Sequence, residues 1–174
     1  MGPDSSILQK FNKNPYKIAD NFQIYRLVTP IVIHTGFNHL ISNLATQLIF
    51  GSWLEGMVGF NHTMATYIVS GIGGNIFSAY CSDANSVGAS TSINGLLTGV
   101  FAMITINWSA FSGNQQLEQM RCILLFFIVF AIVINLMIQD EGTDSWGHLG
   151  GAITGLLWGM AFFPRVKTLS GTRQ

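Results

Sequence analysis

"RCILLFFIVFAIVINLMI", residues 121–138, decides how the chain is read. Beyond Arg121, Asn135 is its only strongly polar side chain. A helix needs ~20 such residues to cross a ~30 Å hydrocarbon core. Working outward, four more apolar stretches fall at roughly 38–58, 63–81, 88–108 and 148–164, divided by short polar gaps. Buried helices of a soluble all-α protein would need amphipathic stripes with charged outer faces. Only 9% of the 174 residues are charged, against about 25% in a typical soluble domain, while 49% are hydrophobic and Phe alone numbers 13. The reading is an all-α, polytopic membrane protein, a helical bundle of about five spans.

Three regions follow. Residues 1–37 are mixed in polarity, hold Lys10, Lys13, Lys17 and Arg26 of the eight basic residues, and lack the continuous apolar run of a signal peptide. They read as a partly helical segment lying at the bilayer interface. Residues 38–164 form the membrane core, and 165–174 a basic tail. A formal net charge of zero provides no field to recruit nucleic acid. Cys81 and Cys122 have neither CxxC nor His-flanked spacing, so neither a disulfide framework nor a metal site is expected, and no cofactor motif is present.

The chemistry is in the polar groups that interrupt the apolar stretches. Such groups are costly inside a membrane and are functional candidates by default. His39 and Asn43 lie four apart on one helical face in "NHLISNLATQL", Ser90 opens the third stretch, and His148 opens the fifth in "SWGHLGGAITGLLWG". An even number of crossings separates these starts, so all four belong near one membrane face. Taken singly, a helical Asn or His is more often interhelical glue, and a serine among small residues a site of close packing. Taken together they can do acyl chemistry: imidazole removes a hydroxyl proton and returns it to the leaving group, while a second His or an Asn donates to the developing oxyanion. Gly95 and Gly99 repeat at i, i+4 on the serine helix, and Gly151, Gly155 and Gly159 on the histidine helix. Small residues at that spacing let two backbones approach, as a hydroxyl–imidazole contact requires.

These residues make the chain resemble the rhomboid intramembrane serine proteases. "YRLVTPIVIHTGFNHLISN" resembles the first family loop and the helix after it, with the aromatic–Arg pair Tyr25–Arg26 and the pattern His34, His39, Asn43. "GSWLEGMVG" is similar to the end of that helix, with its acidic Glu55. "YIVSGIGGNIFSAYCSDANSVGAS" resembles the next helix and the loop to the serine, including Gly88, and "GHLGGAITGLLWG" the last helix. The match runs from about 20 to 164. The resemblance implies a Ser–His dyad without a third acid, with Ser90 as nucleophile and His148 as general base and acid. His39, Asn43 and the Ser90 backbone N–H would form the oxyanion site, and Arg26, His34, Glu55, Gly88, Asn94, Gly151 and Gly155 would support it. The implied substrates are single-span membrane proteins whose helix unwinds easily within the lipid bilayer. "QDEGTDSW", 139–146, would cap the site, and the Phe-rich fourth span would be a lateral gate. The alternative is an impaired relative that binds membrane helices and alters their trafficking or degradation. A channel or transporter subunit would call for paired mid-membrane charges or inverted repeats, which the sequence lacks.

The chain departs from the family pattern in three places. Thr91 follows the serine where Gly is commonest. Asn94 replaces an aromatic that packs on the catalytic imidazole, and its amide is expected to hydrogen-bond His148 instead. The first of six core helices has no counterpart. Arg121, Arg165, Lys167 and Arg173 share one side, while the opposite loops carry Asp83, Asp140, Glu141 and Asp144. The positive-inside tendency then puts the C-terminus in the cytoplasm and the dyad outside or in a lumen. The basic segment 1–37 would also lie outside, which suggests a truncated form of a longer protease. Without an Arg-rich, acid-poor start, the secretory pathway or plasma membrane is expected rather than the mitochondrion.

Overall fold

The computed structural model describes residues 2–112, 114–137 and 143–165, without the side chains of 131–137. Lys167 and Arg173 of the basic tail, residues 139–142 of the expected cap and the end of the fourth apolar stretch lie outside this description.

Among the described residues all regular elements are helical. Two short helices occupy the N-terminal segment. In α1 (Ser5–Phe11) the Asp4 side chain accepts from the Ser6 N–H. In α2 (Pro15–Ala19) the Asn14 side chain accepts from the Lys17 N–H and Pro15 stands at the first helical position, where no N–H is needed. Two 3-10 turns, Ile24–Leu27 and Thr29–Val32, lead to the long helices. These are α3 (Phe37–Val58), α4 (Phe60–Cys81), α5 (Ser90–Ile106), α6 (Gln115–Met137) and α7 (Ser145–Phe162). Gly59 alone joins α3 to α4, at φ +82, a backbone conformation that glycine adopts without steric penalty.

Helix α5 is the centre of the bundle, with Thr91 to Val100 buried on every face. Its C-terminal half carries the apolar core, where Leu96, Leu97, Val100 and Ile104 pack with Phe50 and Leu54 of α3 and Leu124 and Ile128 of α6. Its N-terminal end faces a cavity.

The helices flanking α5 are built inside out. The buried residues of α4 are Thr63, Thr66, Ser70, Gly71, Gly74, Asn75 and Ser78, while Phe60, Met64, Ile68, Ile76 and Tyr80 are exposed. In α7 the buried residues are Gly147, Gly150, Gly151, Gly155 and Gly159, and Leu149, Ile153, Leu157, Met160 and Phe162 face outward. Small and polar residues therefore make the helix contacts, and large apolar ones make the surface. Among the described residues no helix is long and apolar enough to cross a membrane. In α3, α4 and α7 hydroxyls, amides and glycines dilute the apolar run, α5 is 17 residues long, and the most apolar stretch, 121–138, extends past the described side chains.

Glycine lets α7 reach α5. A Cβ on Gly155 would stand 2.5 Å from Gly95 Cα, and one on Gly151 would stand 2.8 Å from the Thr91 carbonyl carbon. Thr98 on α5 reaches across to donate to the Ala152 carbonyl at 2.7 Å. Gly99 does not continue the backbone contact with α7. Its open side meets the side chains of Leu54 on α3 and Thr66 on α4, with the Phe163 ring from the end of α7 next to them. Replacing Gly155 with Ala is expected to destabilise the protein by about 1–3 kcal/mol, the range for overpacking. Gly56→Ala, with nothing within 4 Å of the added carbon, is expected to stabilise α3 by about 0.5–1 kcal/mol. Thermal unfolding of the two purified variants checks both.

Candidate active site

Ser90 is the first residue of α5, and His148 lies in the first turn of α7. The glycine contact brings these two helix starts together, leaving His148 Nε2 2.7 Å from Ser90 Oγ. At that distance the hydroxyl can donate its proton to the imidazole. The pair opens onto a cavity of about 870 Å³, also lined by His39, Asn43, Gly88 and Asn94. As the first helical residue, Ser90 has a backbone N–H without an intrahelical partner.

The loop before Ser90 is held so that the hydroxyl is presented to this space. Gly88 has φ +132, and a Cβ there would come within 2.8 Å of the His39 ring. Its N–H donates to the Pro30 carbonyl at 2.8 Å. The Ala89 N–H donates to His34 Nε2 at 3.4 Å, so His34 supports the loop from outside the cavity. Burial pushes the His34 imidazole below its usual pKa; His39 adds to this and a bond to the Val32 backbone opposes it. A neutral ring leaves Nε2 free to accept. His39 packs edge-on to His34 at 5.1 Å, and its Nδ1 meets Thr35 Oγ1 at 3.0 Å. If Thr35 donates there, His39 carries its proton on Nε2. Asn43 gives one amide hydrogen to the His39 carbonyl at 2.8 Å, leaving its second for the cavity.

Residues 21–165 match the family model described as the Rhomboid domain. The chain is 35% identical over 162 residues to "RHOMBOID-like protein 6, mitochondrial" of Arabidopsis thaliana, covering 91% of this chain and 50% of that protein. It is 34% identical over 137 residues to "Rhomboid-like protease 3" of Toxoplasma gondii, covering 78% of this chain and 51% of that protein. The chain belongs to the rhomboid family. It spans about half the length of these rhomboid relatives.

Not every residue singled out in this rhomboid sequence makes the contact expected of it, and some lie away from the cavity. Asn94 does not bond His148 as expected: its amide donates to the Ser90 carbonyl at 2.8 Å, since one helical turn places it under its own helix start. Arg26 is buried away from the site. It donates to Gln23 Oε1 at 2.7 Å and to the Asn12 carbonyl at 2.8 Å, tying α1 to the first 3-10 turn. Glu55 is exposed near the far end of α3, and Gly151 and Gly155 act through helix packing.

A cluster beside Ser90 and His148 was not singled out in the sequence. Asp144 caps α7, its Oδ1 accepting from the Gly147 N–H at 2.9 Å. The carboxylate also accepts from Ser78 Oγ at 2.5 Å and Ser86 Oγ at 2.6 Å, and the fully buried Lys13 ammonium lies 3.4 Å from Oδ2. Asp immediately before a helix is a legible cap signal. No local pattern, however, marks a lysine 131 positions upstream as its partner (144 minus 13).

Burial favours the neutral acid at Asp144, but the bonds from Ser78 and Ser86, the Lys13 charge and the Gly147 N–H outweigh it and hold its pKa below the usual 3.8. Burial likewise pushes the Lys13 ammonium down, and Asp144 opposes that shift. A depressed carboxyl pKa contributes stability that is complete above the unfolded-state value and disappears as pH falls through the folded-state one. The stability advantage of the wild type over Asp144→Asn should therefore be steady above about pH 4 and shrink as the pH is lowered further. Chemical unfolding of both proteins across an acid pH series measures it.

Proposed function

We propose that this rhomboid is an intramembrane serine endopeptidase that cleaves single-span membrane proteins through Ser90 and His148. The observation that carries the reading is the 2.7 Å contact between Ser90 Oγ and His148 Nε2 at the wall of a polar cavity. Two relatives from Toxoplasma gondii, which bear protease names, support the same reading.

In the mechanism, His148 takes the proton as Ser90 Oγ attacks the substrate carbonyl carbon. The carbonyl oxygen becomes an oxyanion, to which the Ser90 backbone N–H, His39 Nε2–H and the second Asn43 amide hydrogen donate. The imidazolium then gives its proton to the departing amine, which leaves an acyl ester on Ser90. A cavity water, deprotonated by the same imidazole, hydrolyses the ester and restores the hydroxyl. In a transmembrane substrate the carbonyls are hidden in helical hydrogen bonds, so cleavage favours segments that unwind readily, such as those containing Gly or Pro.

The inside-out surface supports a membrane setting. The outward rows of Leu, Ile, Met and Phe on α4, α6 and α7 suit lipid, and the polar and glycine contacts between helices are those that hold a bundle together where no hydrophobic force does. The expectation of a secretory or plasma-membrane location gains no support, since one relative is named mitochondrial.

The test is cleavage of a single-span substrate carrying a Gly-Pro-weakened helix, with the protease reconstituted in liposomes. Ser90→Ala and His148→Ala should each abolish cleavage and fluorophosphonate labelling. His39→Ala should lower kcat by roughly 10²–10³-fold, as for loss of one oxyanion donor. Substrate binding without cleavage in the wild type would favour the alternative of a membrane-helix binder.

A further inference from the structure

The N-terminal segment is part of the site's construction. Leu8 and Asn12 line the cavity that holds Ser90 and His148. Immediately after them, Lys13 and Ser86 exchange backbone hydrogen bonds, Lys13 N to Ser86 O at 2.9 Å and Ser86 N to Lys13 O at 3.3 Å. The Lys13 side chain is fully buried, donates to Ser78 Oγ at 2.5 Å and faces Asp144 Oδ2 at 3.4 Å. The Asp144 backbone carbonyl accepts from the His148 N–H at 3.0 Å, so the residue that receives Lys13 also begins the helical turn carrying the imidazole. Four elements thus converge on one carboxylate: the N-terminal segment, α4 through Ser78, the serine loop through Ser86, and the start of α7.

We propose that Lys13 and Asp144 are positioning residues whose buried ion pair locks the serine loop and the first turn of α7 in the register that lets Ser90 meet His148. This inference rests on the protease reading for its catalytic consequence, but the clamp itself does not. A buried ion pair seldom adds net stability over well-packed apolar groups, whereas its geometry is exacting. Acyl transfer is sensitive to that geometry, and a displacement of about 1 Å can lower a rate about 10²-fold. Neither residue touches the reacting atoms in this arrangement. Their positioning effect passes through the Ser86 loop on one side and the Asp144–His148 turn on the other, while the Asp144 carboxylate also faces the cavity that His148 lines.

The test uses the full chain and two readouts, the rate of Ser90 labelling by a fluorophosphonate and hydrogen exchange at the Gly147 and His148 amides. Lys13→Met and Asp144→Asn are each expected to slow labelling at least about tenfold and to speed exchange about tenfold, with the number of labelled sites within about twofold of wild type. Lys13→Arg, which keeps the charge, should restore labelling to within about threefold, and Lys17→Met, which removes an exposed charge from the same segment, should change nothing. Because a lone buried charge can itself impair folding, Lys13→Met/Asp144→Asn removes both charges. It should fold as wild type does yet still label slowly. Wild-type labelling in that double variant, or wild-type labelling and exchange in both single variants, would overturn the proposal. If Ser90→Ala labels as well as wild type, the protease reading fails and the exchange measurement alone decides the clamp.

Discussion

The close approach of α5 and α7 is the constraint from which the rest follows. Helix backbones normally stand 8–10 Å apart, separated by side chains. Here Gly151 and Gly155 remove that separation, and α7 lies against the backbone at Thr91 and Gly95. Ser90 lies immediately before this contact on α5, and His148 one turn before it on α7. Their 2.7 Å hydrogen bond is therefore set by helix packing as much as by side-chain rotamers. A larger residue at either glycine would move the first turn of α7 bodily, and His148 with it. The same approach draws in α4, whose Gly74 would place a Cβ 2.7 Å from the Gly147 carbonyl oxygen and 2.9 Å from Thr91 Cβ. Three helices thus share one seam of small residues that ends at the cavity.

That seam accounts for the inverted distribution of side chains. Where glycine, serine and threonine fill the interior, the bulky residues have nowhere to go but outward, and a surface of Leu, Ile and Phe is stable when its solvent is hydrocarbon. In water such a surface would be a large exposed apolar patch. The arrangement also separates two tasks along α5. Its C-terminal half, from Leu96 to Ile104, is held by apolar packing against α3 and α6, while its N-terminal end is held by hydrogen bonds and remains open to the cavity.

Much of this was legible in the sequence, for identifiable reasons. Helical periodicity put His39 and Asn43 on one face, parity of crossings put Ser90 and His148 at the same end, and glycine spacing pointed to the helix pair that meets. All four polar residues line one cavity. Legibility ended where a residue's direction depends on its neighbours. Gly99 shares spacing with Gly95 but meets Leu54, since a helix rotates 40° beyond a full turn in four residues and that drift decides which helix a side chain faces. Asn94 was expected to turn to the imidazole, yet the carbonyl one turn back lies closer to hand, the usual competition between local and long-range partners for a short amide. Lys13 could not be foreseen because its partner lies in another part of the fold.

The basic N-terminal segment changes character once its contacts are known. Read as a string, it carries Lys10, Lys13, Lys17 and Arg26, a concentration of positive charge that sits awkwardly on the outer side of a membrane. In the fold, Lys13 is neutralised by Asp144, and Arg26 is buried against the carbonyls of Gln9 and Asn12. Lys10 and Lys17 remain exposed. Half of the segment's charge is thus directed inward, toward the serine loop in one case and toward α1 in the other. Its distribution reflects attachment to the core at least as much as orientation in a membrane. Lys13 and Asp144 stand on opposite sides of α3 to α6 in the chain order, so their pairing closes the bundle across the start of α5 and makes the N-terminal segment a structural neighbour of Ser90.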